Sequence, residues 1–510
     1  MAGGGESLAR LLVHNPELIR NLRSGLRPLK AILLGVAVLG ACSFNLIVNF
    51  AAQMPPRYLQ RNITPEEIAE ALTISFFICL SVQLFLVQLG GLLLAAASVA
   101  GERELKTWDV QRMSPASALS MASGKLIGAP AVVWLMVIAA LPAQALCVMG
   151  GGVSLNTLAQ GAALVVSGSL LYGSLGLAFS SGVENRRNAT VTAFLAAVIF
   201  GAFSLVGLGA SEAWPLAGLN PGIVIFGMTG EAARQFAPPL FRAGRFFGLE
   251  TGMVWPSIVW ECAVSAAFIA GAMRLMRDRE TTLWSKRQAY IIYGVVGLVC
   301  TGSCWPWALG LAWLKSTTAV VLAVSMCVVA LIMAFAITPP HAKARDWLRH
   351  APAGGRDPRD WLWGERSPAL LAMGVVWVIL ACVLAVTAGL WRAIGASLAA
   401  ALGLFPAALL LAICATAVRK NGKVLAFGIM FAWCFCSGIF AAVVDSEEVA
   451  EACIPFFLAG AVMSEGYDDA VLASLMGGTV LWGFVALVMV ATWRGQIARL
   501  RRVASRRAGG

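Results

Sequence analysis

Charge is what this sequence lacks most. Asp, Glu, Lys and Arg make up 13% of its 510 residues, against roughly 25% in a soluble domain. Meanwhile 59% of the residues are hydrophobic and the mean hydropathy is +0.79. No soluble chain of this length has an interior large enough for so much apolar surface, so lipid serves as the solvent for much of it. Histidine is nearly absent. His14, His341 and His350 are the only three, and all lie in predicted cytoplasmic segments, which argues against a histidine-based metal site. The 12 cysteines are scattered, nearly all inside apolar stretches, and the one close pair, Cys434 and Cys436, is not a CxxC. They read as small membrane-helix residues rather than metal ligands or disulfide partners. No GxxxxGK[ST] is present: Gly124-Lys125 is followed by Leu126, so the chain carries no phosphate-cradling loop of its own. GxSxG and HExxH are missing too. No catalytic residue, metal or cofactor is therefore expected.

What is there is a series of apolar stretches of 20 residues or more that do not alternate. Only helices and closed barrels satisfy their backbone in lipid, and barrel strands are about ten alternating residues, so the stretches are helices. The candidate spans are 31–52, 71–99, 126–149, 155–180, 189–209, 252–275, 289–312, 317–338, 369–391, 394–417, 424–444 and 471–493. The expectation is an all-α polytopic bundle of about 12 spans. Cys304-Trp305-Pro306 should interrupt 289–312. Ahead of the first span, Leu8, Leu11, Leu12, Leu18, Ile19, Leu22 and Leu26 alternate with Arg20, Arg23 and Arg27 at helical spacing, which suits a helix lying in the membrane interface, broken at Pro16. No cleavable signal peptide is expected, because the first apolar stretch follows about 30 residues with five basic side chains and precedes further spans.

The net charge of +12 suggests nucleic acid on a soluble protein. Here the basic residues sit in short segments between spans. With the N-terminus inside, 31 of 38 Lys and Arg fall in inner segments, while 445–470 holds seven acids and no Lys or Arg. That asymmetry is the positive-inside pattern. It predicts both termini in the cytoplasm and a location in the inner (cytoplasmic) membrane, with lipid rather than nucleic acid as partner.

The halves echo one another. Asn185 precedes a span and then Asn220-Pro221; Asn421 precedes a span and then Ile454-Pro455. Ser114-Pro115-Ala116 and Ser367-Pro368-Ala369 stand at matching places two spans earlier. Two six-span pseudo-repeats, 1–285 and 286–510, are the expected domains. In the outer segments 210–250 and 446–470, prolines and apolar runs predict short or re-entrant helices.

The most informative segment is 98–128. It leaves the membrane as Gly101-Glu102-Arg103-Glu104. Thr107, Trp108, Val110 and Met113 predict one apolar face of a short helix, which Ser114-Pro115 ends, and Ser117 predicts the cap of a second helix running through Gly124-Lys125. Composition alone favours a well-ordered loop of mixed charge. Together these residues resemble the signature of ABC-2 type ABC transporter permeases, where the stretch between spans two and three reads approximately G-E-R-E-x-G-T-x-x-x-L-x-x-x-P and then G-K. Asn15-Pro16-Glu17-Leu18 resembles that family's interfacial connecting helix, Ser180-Ser181 the end of its fourth span, and Asn220-Pro221 the start of its outer re-entrant segment. The resemblance covers 14–285 closely and 286–510 by pattern. Lys106 stands where the family usually has Gly, and Trp108-Asp109-Val110-Gln111-Arg112 replaces a Leu-rich run. These departures bear on which ATPase surface the segment fits.

The resemblance implies a permease subunit, an exporter, whose 101–115 segment docks in a groove of a separate ATP-hydrolysing subunit present in two copies. It implies ATPase-coupling roles for Glu102, Arg103, Glu104, Thr107, Arg112 and Pro115. One chain supplies both membrane halves if the repeat holds, and a homodimer forms if it supplies only one. Residues 359–368 stand as a second, divergent coupling segment or a solvated linker. Glu261, the lone acid near the middle of a span, costs about 3 kcal/mol or more if bare in lipid. It is either a substrate-path residue or a hydrogen-bonded structural carboxyl. Asn45, Asn49, Gln83, Gln88 and Gln144 read as helix–helix hydrogen-bond partners. The alternative function is an ion-gradient-driven secondary transporter of twelve spans; that reading wants acids in several spans, and Glu261 alone qualifies.

Overall fold

The computed structural model describes residues 15–53, 64–113, 116–183, 185–206, 218–229, 245–246, 249–250, 254–278, 281–308, 316–349, 358–388, 390–417, 429, 484–498 and 502. The chain forms two units. One comprises residues up to 208 with 214–243 and 251–279; the other runs from 280 onward and takes in 209–213 and 244–250.

Local chemistry starts the helices of the first unit. Asn15 Oδ1 accepts from the N–H groups of Glu17 and Leu18 ahead of α1 (Pro16–Gly25), with Pro16 in the first turn, where its missing N–H costs nothing. After α2 (Pro28–Gln53), Thr64 and Glu67 form a reciprocal capping box that opens α3 (Pro65–Glu104). The short α4 (Trp108–Arg112) leads to α5 (Ala118–Gly128), capped by Ser117 as its sequence predicts. Then come α6 (Ala131–Met149), α7 (Leu155–Gly182, capped by Ser154), α8 (Arg186–Val206), α9 (Pro221–Met228) and α10 (Val254–Arg277). Helix α9 is the short outer helix expected after Asn220.

At 40 residues and 1.5 Å per residue, α3 is ~60 Å long, about twice a ~30 Å hydrocarbon core. It therefore extends past the hydrocarbon layer, and the charges in its last turn, Glu102, Arg103 and Glu104, suit a place outside the lipid. In the core, Phe76, Leu80 and Leu84 of α3 pack with Val133 and Val137 of α6, Leu164 of α7 and Val224 of α9. Helix α7 is the most enclosed of the candidate spans, 72% buried, and its small residues let neighbours close on it. A Cβ on Gly176 would lie 2.4 Å from the Leu92 carbonyl oxygen of α3. Polar side chains bridge the spans: Gln83 Nε2 donates to Val137 O, Gln144 Nε2 donates to Gln83 Oε1, and Asn45 Nδ2 donates to Ser75 O. By contrast Leu29, Ile32, Leu33, Val36 and Phe44 on α2 are exposed, as a lipid-facing stripe must be.

In the second unit, β1 (Arg245–Phe246) and β2 (Leu249–Glu250) make a two-residue antiparallel pair. The helices are α11 (Lys286–Ala308), α12 (Ser316–Ile337), α13 (His341–Arg349), α14 (Pro358–Trp363), α15 (Leu370–Ala388), α16 (Leu390–Ala417) and α17 (Phe484–Ala498). The interruption expected at Cys304-Trp305-Pro306 does not occur: α11 continues to Ala308. Pro306 lies in its final turn, where few hydrogen bonds are left to lose. Lys286 Nζ is buried and donates to Trp361 O, Ser367 Oγ and Pro368 O. Burial pushes its pKa down from the usual lysine value to about 8. Tyr290 Oη donates to Leu362 O. Residues 358–368 are thus anchored to the start of α11, and the solvated-linker reading does not describe them.

Among the described residues, six helical stretches are long and apolar enough to cross a membrane: Pro28–Ala52, Pro65–Glu104, Ala131–Met149, Leu155–Gly182, Val254–Arg277 and Ala396–Cys414. Of the other expected spans, 189–209, 289–312, 317–338 and 369–391 fall on α8, α11, α12 and α15, and 471–493 overlaps α17. The 424–444 span and the 446–470 segment lie outside the described residues. The protein is an all-α, multi-pass membrane bundle.

Candidate functional site

The projecting end of α3 terminates in a left-handed residue. Lys106 has φ 58°, the Thr107 N–H reaches back to Glu102 O at 2.9 Å and the Lys106 N–H to Arg103 O at 3.0 Å. This is the six-to-one and five-to-two pattern that glycine usually closes. It turns the chain sharply so that α4 folds beside the helix it has just left.

Four charges from three separate elements meet beneath that turn. Arg20 of α1 pairs with Glu17 and with Glu102; Lys125 of α5 pairs with the same two carboxylates. Each cation bridges both acids, so the charges form a closed, neutral ring. The Lys125 side chain is 1% exposed while Arg20 is 47% exposed, so Lys125 is the strong member and Arg20 is screened by water. Gln111 Nε2 of α4 donates to Glu102 Oε1 at 2.9 Å. Trp108 is buried over the ring, 5.5 Å from the Arg103 guanidinium and 5.7 Å from Lys125 Nζ, within cation–π range.

Further bonds tie the ring to the spans. Arg103 Nη1 donates to Ser181 O at 2.6 Å and Val183 O at 3.3 Å, where α7 ends. The Ala100 N–H donates to Ser180 Oγ, and the Arg186 N–H opening α8 donates to Glu104 Oε2. Asn15 Nδ2 donates to Ser120 O at 2.7 Å. Helix α1 can lie against α5 because Gly124 and Gly128 leave room: a Cβ on Gly124 would come within 2.8 Å of Glu17 Cβ, and one on Gly128 within 2.8 Å of Asn21 Cβ. The Gly-Lys pair thus serves two purposes, close approach at Gly124 and charge at Lys125.

The sequence-predicted residues are placed as follows. Glu102 and Arg103 face inward and are spent on the ring and on α7. Glu104 and Thr107 are exposed. Arg112 closes α4, its side chain outside the described atoms, and Pro115 lies outside the described residues. The single apolar face expected of Thr107, Trp108, Val110 and Met113 is divided. Trp108 turns inward onto the cations, while Val110 (66% exposed) and Met113 (79%) turn outward with Leu105 (75%). A five-residue helix cannot put 108 and 110 on one side, since they are 200° apart around its axis. Glu261 of α10 is fully buried among the spans; Ser167 Oγ of α7 donates to Oε2, and Oε1 has no hydrogen-bond partner among the described residues.

Sequence reasoning gave no role to Glu17, Arg20 or Lys125. Glu17 and Lys125 are 108 positions apart, and nothing in the spacing announces that they meet. The only available signal was that Glu17 and Lys125 belong to the two flanking motifs, Asn-Pro-Glu-Leu and Gly-Lys.

Residues 43–273 match the model of the ABC-2 family transporter proteins. That segment, a little under half of the chain, is what the protein shares with the ABC-2 family. No curated protein and no solved structure matches it.

Proposed function

We propose that the chain is the membrane subunit of an ABC exporter, driven by two copies of a separate ATPase, with residues 105–113 as the docking point. The observation that carries this is the exposed apolar trio Leu105, Val110 and Met113 on a rigid base. Apolar side chains held outward by a left-handed turn and an ion-pair ring fit a protein groove better than they fit water. Glu104, Lys106 and Asp109, all exposed, form a charged rim, and the family resemblance assigns ATPase-coupling roles to Arg112 and Pro115 as well. Glu102 and Arg103 act as positioning residues. A push on α4 reaches α1 and α5 through the charge ring, and α7 and α8 through Arg103 and Glu104.

The second unit supplies the other membrane half in this reading, so one chain makes the whole path. The support is architectural. In each unit the residues just ahead of, or opening, the first expected span hold the segment before the third expected span: α1 holds α5, and Lys286 with Tyr290 holds 358–368. Basic-residue asymmetry puts both termini in the cytoplasm, in the inner membrane. Glu261 joins the substrate path if α7 and α10 separate during turnover; a Glu261→Cys variant that gains reactivity toward a membrane-impermeant thiol reagent on ATP addition supports this, and one that never reacts removes Glu261 from the path.

The test is association. Full-length chain purified from its native membranes should carry a subunit that a photoreactive ATP analogue labels. Val110→Glu with Met113→Glu should abolish that labelled partner while leaving the melting temperature unchanged, because both side chains are exposed. A chain that never carries an ATP-binding subunit, or a double variant that keeps it, ends the proposal.

A further inference from the structure

Three residues, Thr338-Pro339-Pro340, separate the end of α12 from the start of α13. Its buried side is Ala344 and Trp347. Trp347 packs with Leu409 and Ala412 of α16 and with Trp493 of α17, and its ring lies 4.7 Å from that of Trp361. Trp361 in turn lies 6.4 Å from Trp493. Three clustered tryptophans, one of them near the end of the apolar helix α17 and two on short polar helices, suit the headgroup layer of a bilayer.

On the same helix stand two arginines with no carboxylate partner among the described residues. Arg345 and Arg349 are four residues apart and share a helix face. The Nε of each is buried and has no hydrogen-bond acceptor among the described residues. Arg345 Nη1 lies 3.4 Å from His341 Nε2. Asp346, the helix's only acid, bonds neither. The contrast with the first unit is informative: there both cations of the ring have carboxylates, and here the two arginines have none among the described residues. A desolvated N–H on a guanidinium calls for a charged acceptor. A phosphodiester offers two oxygens in the spacing that the planar guanidinium fork matches.

We infer that Arg345 and Arg349, with the Trp347–Trp361–Trp493 cluster at their back, form a binding site for the headgroup of an anionic phospholipid. The tryptophans set the depth in the interface, and the two unpaired cations select a net negative lipid over a zwitterionic one. The site depends only on the protein lying in a membrane and does not rest on the transport reading.

The experiment is native mass spectrometry of the delipidated full-length chain, titrated separately with phosphatidylglycerol, phosphatidylcholine and inorganic phosphate. Wild type should retain phosphatidylglycerol in preference to phosphatidylcholine, and millimolar phosphate should not displace it. At about five-fold per arginine near a membrane surface, R345Q/R349Q should weaken phosphatidylglycerol roughly 30-fold and leave phosphatidylcholine unchanged. If the double variant does not fold, R345Q and R349Q singly carry the test at about five-fold each. Unchanged phosphatidylglycerol binding in the variants overturns the inference. So does equal binding of phosphatidylcholine by wild type, and so does displacement by phosphate, which would make this a free-anion site.

Discussion

Lys106 holds a conformation that suits glycine, and its cost sets a prediction. A non-glycine residue in the left-handed region is disfavoured by about 1–2 kcal/mol, while glycine gives back roughly 0.5–1 kcal/mol in unfolded-chain entropy. Lys106→Gly should therefore stabilise the first unit by about 0.5–1 kcal/mol, seen as a raised melting temperature in detergent. A lowered one contradicts the turn described above. Lys125 is the opposite case. Its ammonium is the only buried cation of the ring, and Lys125→Gln leaves Glu17 and Glu102 with Arg20 alone. Removing one partner of a fully buried pair costs ~3–5 kcal/mol; these carboxylates keep some water, so about 2–3 kcal/mol is expected. Thermal unfolding measures it, and a neutral result would mean the ring is solvated. At this scale the sequence showed which residue types gather at the membrane exit. It did not show that Glu102 and Arg103 face inward, because orientation depends on residues of α1, α5 and α7 that no local pattern links to them.

Among the elements, α7 depends on contact with α3 at distances only glycine permits. A methyl group at 176 would meet backbone atoms of Leu92 and Ala96, and backbone cannot yield as a side chain tip can. Gly176→Ala should cost about 1–3 kcal/mol. Gly35→Ala on the lipid-facing side of α2, where nothing lies within 4 Å, should cost nothing, and parallel thermal melts of the two variants make the comparison. The start of α5 was legible because caps are local and Ser117 announces the helix; Asn15 and Thr64 with Glu67 prove to be caps of the same local kind, though the sequence reading did not use them. The shape of α4 was less legible. Five residues are too few for a periodicity to form, so the burial of Trp108 was settled by the cations around it.

For the whole molecule, the basic-residue asymmetry predicts sidedness. Alkaline phosphatase fused after residue 60 or 465 should be active, and fusions after 120 or 350 inactive; a fluorescent protein at residue 510 should fluoresce. The reverse pattern would invert the topology and remove 105–113 from reach of any cytoplasmic ATPase. The sequence by itself determined that the chain lives in lipid, that it is helical and roughly where its spans run, because hydropathy over 20 residues is a sum and needs no knowledge of neighbours. It also carried the Gly-Glu-Arg-Glu and Gly-Lys signature that the family comparison bears out. Only the tertiary structure decided what that signature does. Lys125, Glu17, Arg20 and Glu102 form one ring because three elements distant in sequence converge. Leu105, Val110 and Met113 are left outward because a single left-handed residue turns the chain there. Pairing of charges and exposure of apolar side chains are properties of position in space, which a one-dimensional pattern does not contain.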